Sequence, residues 1–82
     1  MAVVHIVWND ASSDTDGWTD MKDLDRDPTL VDSVGFLLDP AHTPLGHVAI
    51  YQSRIQGTDQ IDSVLHIPRA MVRHIKVLFD AV

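Results

Sequence analysis

The stretch Asp10-Ala-Ser-Ser-Asp-Thr-Asp-Gly-Trp-Thr-Asp20 gathers four aspartates, a glycine and a tryptophan into eleven positions. Closely spaced carboxylates around a glycine suggest a calcium loop. The helix–loop–helix template wants oxygen ligands at positions 1, 3, 5, 7, 9 and 12, with glycine at 6. Counting from Ser12 places Asp14 at 3, Asp16 at 5, Gly17 at 6, Asp20 at 9 and Asp23 at 12. Three features oppose that reading. Position 1 is a serine, position 12 lacks the bidentate glutamate, and an apolar alternating run precedes the loop where a helix belongs. A solvated acidic loop explains the same residues and is the preferred reading. Asp14, Asp16, Trp18 and Asp20 then become candidates for contact with a protein partner, because aromatic residues are enriched at interfaces.

Five histidines, His5, His42, His47, His66 and His74, raise the question of zinc. None forms an H-x₃-H pair, so no metal site is expected. Nor does the chain carry a nucleophile–base pair, a phosphate-cradling glycine loop or a paired-carboxylate signature. Its 82 residues leave little room for a substrate cleft. A non-enzymatic protein without a cofactor is the expectation. Arg69, Arg73, His74 and Lys76 form the one basic group. It could hold a nucleic-acid phosphate or base, or neutralise the acidic loop of the same or a neighbouring subunit. The second role is preferred, since a net charge of −6 opposes polyanions.

That charge is unevenly spread, and every acidic residue is an aspartate. Residues 9–32 hold eight Asp against Lys22 and Arg26, a balance of −6. Residues 54–82 hold Arg54, Arg69, Arg73 and Lys76 against Asp59, Asp62 and Asp80, a balance of +1. With no cysteine, neither disulfides nor thiolate metal sites can stabilise so short a chain. The core, or assembly, must do so. No charged segment precedes an apolar leader and no apolar run approaches a membrane span, so a soluble cytoplasmic protein is expected.

The elements that must carry these groups are short strands. Residues 3–9, VVHIVWN, alternate Val4, Ile6 and Trp8 against Val3, His5 and Val7. A long acidic loop, 9–29, follows, in which Trp18, Met21 and Leu24 could form one helical turn. Residues 30–39 read as a second strand, with Gly35 marking a bend. Residues 47–55 and 61–67 read as the third and fourth, the first preceded by the turn PAHTPLG (40–46) and the second by QGTDQ (56–60). The tail from Pro68 supports two readings. Its apolar spacing suits an amphipathic helix over 69–81. However, Ile67 is a poor N-cap, and Arg69, Arg73 and Asp80 oppose the helix dipole. A 3₁₀ turn at 68–71 and a fifth strand at 72–79, with Ile75, Val77 and Phe79 facing inward, is preferred. The fold expected is all-β: one small five-stranded SH3-like barrel over 1–82, closed so as to hide most sheet edges. In it Trp18 is expected to pin the loop over an open end of the barrel.

Two stretches carry a family resemblance. VGFLLD (34–39) resembles the first motif of the Sm-like family, and VLHIPRAMVRHIKV (64–77) resembles its second. The whole chain also looks like short uncharacterised proteins encoded by tailed phages, with VGFLL and IPRAMV in common. The resemblance implies a small barrel that forms a ring or other homo-oligomer through edge strands. It also implies a possible role for RNA, with Arg69 near the family's Arg-Gly turn. The chain departs from the family in opening with a strand, in lacking that turn's glycine, and in following Asp39 with PAHTPLG. A further apolar set, Val3, Val7, Val31, Leu37, Ala49, Tyr51 and Val64, is expected on the outside, where it would favour self-association. The expected role is a self-associating binding or assembly module, phage-encoded if the resemblance holds and then acting in the host cytoplasm. The alternatives are an RNA-binding ring and a regulatory factor that docks on a host protein through the acidic loop.

Overall fold

A computed structural model describes residues 1–10, 18, 20–23 and 29–80. The chain is all-β. Its strands are β1 (Ala2–Asp10), β2 (Thr29–Leu37), β3 (His47–Tyr51), β4 (Ser53–Arg54), β5 (Ile61–Asp62), β6 (Leu65–Pro68) and β7 (Val72–Asp80). Five of them form an antiparallel sheet in the order β6-β3-β2-β1-β7, and β4 and β5 form a separate ribbon.

The ribbon arises because the expected third and fourth strands each break once. Gln52 leaves the ladder, and its side-chain amide donates to the Val34 carbonyl at 2.8 Å. Opposite it, Ser63 takes a left-handed φ of 57°, with its N–H held by Asp62 Oδ1 at 2.7 Å. One hydrogen bond across the sheet and one within the turn thus accompany the break of one long hairpin into the β3–β6 and β4–β5 segments.

Gly35 is buried where β2 and β3 approach most closely. A Cβ there would lie 3.0 Å from the Tyr51 carbonyl oxygen and 3.2 Å from Ile50 Cβ. The position therefore requires glycine for space, while the register of β2 on β1 runs through it without a shift. Gly46, at φ 73°, closes the turn from Pro44 to His47, a backbone shape that disfavours other residues.

The tail follows the strand reading and not the helical one. Arg69–Met71 is a single 3₁₀ turn, and β7 pairs along β1 through Val72, Ile75 and Val77. Pro68 enters the turn extended, without a capping side chain. The edge of β1, rich in branched residues, gives the tail a ladder that satisfies its backbone. A poorly capped helix would have had no such support.

The core is small. Val4, Ile6, Val48, Ile50 and Ile67 are buried, and Ala2, Trp8, Leu37, Leu65, Met71 and Val72 pack against them. Each buried isoleucine contributes roughly 1.5–3 kcal/mol over its exposed state. Trp8 sits at the rim and donates from Nε1 to Ser33 Oγ at 3.0 Å.

Three expectations fail. The sheet is not closed, so β6 and β7 remain its two edges. Ile75, Val77 and Phe79 are not sealed in the interior: they are 38%, 56% and 61% exposed. The register along β7 explains part of this. Leu78 and Arg73 are extra residues opposite the Val3/Val4 and Val7/Trp8 steps, and such bulges twist a strand away from its neighbour. The outer face also differs. Ala49 and Tyr51 are buried, with the Tyr51 ring stacked on Phe36 at a centroid distance of 5.3 Å. Val31 lies opposite Trp8, and Leu37 packs on the core.

Candidate interaction surface

The basic residues do not converge on one spot. In the antiparallel ladder, partners share a face, so His74 beside Val7 and Lys76 beside His5 lie on the face away from the core. Arg73 occupies a bulge between Val72 and His74. Arg69 lies elsewhere. It lines a cavity of about 270 Å³ with Leu45, Gly46, His47, Val48 and Ile75. Its N–H donates to the Gly46 carbonyl at 2.7 Å, which ties the last 3₁₀ turn to the loop before β3. Among the described residues, none of these cations makes an ion pair with a carboxylate.

That second loop is built locally. Asp39 caps the turn Pro40–His42, its Oδ1 accepting from the Ala41 N–H at 2.8 Å, while the Thr43 hydroxyl donates to the Asp39 carbonyl at 2.9 Å. The aspartate matched to the family motif is thus a capping residue here.

A pairing that the sequence did not announce lies on the outer face. His5 Nε2 and Asp32 Oδ1 are 2.7 Å apart, on neighbouring strands and diagonal to each other, since His5 pairs with Val34 and Val7 with Asp32. Alternation already put His5 on that face. Only the register, Val7 opposite Asp32, brings the carboxylate within reach. Lys76 is the partner of His5 on the other side, so His5 sits between an acid and a base.

In the acidic loop, Asp14 and Asp16 lie outside the described residues, as does most of the calcium-loop pattern. Asp20 is exposed. Trp18 is fully exposed, which overturns its expected role as an anchor over the barrel end. An open sheet with a small core offers no covered end for it to plug. Met21, in the 3₁₀ turn Met21–Asp23, is exposed as well. Among the described residues, no three His or Asp side chains cluster closely enough to hold a metal ion.

A larger open hollow, about 750 Å³, lies between the first residues and the β4–β5 ribbon, lined by Leu37, Tyr51, Arg54, Ile61 and His66 among others. Its charged residues, Asp39, Arg54 and Asp59, are of mixed sign and do not select one ligand charge.

What distinguishes the surface most is β7 itself. Among the described residues one of its edges is unpaired, and Val77, Leu78 and Phe79 are exposed beside Lys76. No family model matches the chain, and neither a curated protein nor a solved structure matches it. Among the described residues, no helix is long and apolar enough to cross a membrane.

Proposed function

We propose that the chain is a small assembly module that acts by binding rather than by catalysis, and that copies of it join through the sheet edges β6 and β7. The observation that carries this reading is β7. It has nine residues, none of them buried, five of them apolar, and a free edge of backbone donors and acceptors. An exposed apolar edge of that length is a template for another strand, and a second copy satisfies it with closed symmetry. The Sm-like resemblance points the same way, and with it a phage origin. Light scattering of the full chain at micromolar concentration tests the proposal, with a discrete multimer as the expected result. A monomer across that range removes it.

A second reading, binding of short RNA, is favoured by one observation. The 270 Å³ cavity lies where the loop after Asp39 meets the turn holding Arg69, the two places at which Sm-like proteins hold a base. Short RNA that binds and is released steeply by salt would support it.

A further inference from the structure

β1 pairs with β2 on one side and with β7 on the other, and the two registers line up three rows across the face turned away from the core. Phe36, Val3 and Phe79 form the first row. Val34, His5 and Lys76 form the second, and Asp32, Val7 and His74 the third. None of these side chains is buried, and Val34 and Phe79 are 48% and 61% exposed. Phe79 owes its place to the bulge at Leu78, which moves it from the side of Val77 to the side of Val3.

The chemistry of the rows is balanced about β1. An acid stands across from a base in the third row, and a ring across from a ring in the first. Turning a second copy over about a two-fold axis along β1 lays β2 of each copy on β7 of the other. Asp32 then faces His74, Phe36 faces Phe79, and Val3 and Val7 face their own copies. Every match occurs twice, as an isologous contact requires. The His5 ring already holds Asp32 Oδ1 at 2.7 Å. A carboxylate has a second oxygen, which can accept from a ring N–H of His74. In the middle row the stem of Lys76 lies over Val34, and its ammonium reaches along β2 towards Asp32. A two-fold axis across the strands would instead set Asp32 on Phe36 and His74 on Phe79, with no polar match.

We infer that this face is a self-complementary contact with a second copy of the chain, stacked as in a β-sandwich. This rests on the self-association proposed above and adds to it a contact of a different kind. Edge pairing extends a sheet sideways through backbone hydrogen bonds, whereas the face contact joins two sheets about 10 Å apart through side chains. Its size decides how it acts. Three strands about 4.8 Å apart, each contributing about five residues of about 3.4 Å, span only about 250 Å² of sheet. A standard interface covers roughly 800 Å² on each partner. The face therefore holds two edge-linked layers together and does not join two lone chains.

The test alters the face without touching an edge. D32K and V34K both fall on β2, which has a strand on either side. The first sets a donor against His74 of the second copy, and the second sets like charge against Lys76. Each is expected to raise the dissociation constant of the stacked contact about tenfold or more. Light scattering of the full chain should then give half the mass of the unaltered multimer, one layer in place of two. D32K/H74D exchanges the two signs of the third row and is expected to return the full mass. Circular dichroism matching the unaltered chain checks that the variants fold. A mass unchanged in D32K and V34K overturns the face contact and leaves edge assembly standing. A mass lowered in D32K and not recovered in D32K/H74D also overturns it. An unaltered chain that is monomeric at micromolar concentration overturns both.

Discussion

β3 and β7 share branched and aromatic residues and have opposite fates, although only β7 also carries charges, at Arg73, Lys76 and Asp80. β3 buries four of its five residues, on both faces, while β7 buries none of its nine. Both are rich in branched and aromatic residues. Beyond those charges, the difference lies in their neighbours. β3 has β2 on one side and β6 on the other, and Phe36 stacks over its Tyr51. Among the described residues, β7 pairs only with β1, is bulged twice against it, and has no strand on its far edge. Burial of a strand is thus a property of its place in the sheet. An apolar strand at an edge keeps its unused capacity for contact.

Substitutions can sharpen or break this contrast. The largest effect is expected at the centre. Ile6→Ala removes a fully buried side chain from a core of five and should cost about 2–5 kcal/mol, read as a lower urea midpoint. A loss below about 1 kcal/mol would mean that the core lies elsewhere. Gly35→Ala should come next. Its methyl group meets the backbone at 3.0 Å, and strands β2 and β3 must part slightly to admit it. About 1–3 kcal/mol is expected from such overpacking, again by urea titration. The smallest effect on the fold is expected on β7. Val77→Ser should shift the urea midpoint of the isolated chain by no more than about 0.5 kcal/mol, as an exposed substitution does. The same change should weaken assembly, seen as a lower mass at a given concentration. If Val77→Ser destabilises the single chain as strongly as Ile6→Ala, β7 belongs to the core and the contrast is lost.

Much of this fold was legible from local pattern. Alternation of Val4, Ile6 and Trp8 named the inner face of β1, and the poor caps around Ile67 and Arg69 correctly disfavoured a helix. These are contests between neighbouring residues, and a single sequence records them. Gly35 suggests a bend, whereas what requires glycine there is the closeness of Tyr51 and Ile50. The breaks at Gln52 and Ser63 were not visible, since each depends on a hydrogen bond within its own hairpin or to Val34 across the sheet. The His5–Asp32 pair was hidden for a similar reason: twenty-seven positions separate the two residues, and a one-residue slip in register would part them.

The candidate surface divides along the same line. That the chain has an acidic front and a basic back is plain from the order of its charges. That Arg69 stands apart from His74 and Lys76 follows from the pairing of β7 with β1, which decides the face of each residue. Periodicity placed Ile75 and Val77 on the side of Ile6 and Val4. The bulge at Leu78 sets Phe79 beside Val3 on the other side, and periodicity could not tell whether either side would be covered. Coverage depends on closure, and closure depends on whether two distant strands meet. Here β6 and β7 do not, so the inward-facing set expected at Ile75, Val77 and Phe79 stays exposed. Local chemistry chose the strands, their turns and their faces. Tertiary packing alone decided which of those faces were sealed, because burial requires a second surface that no strand carries in its own sequence.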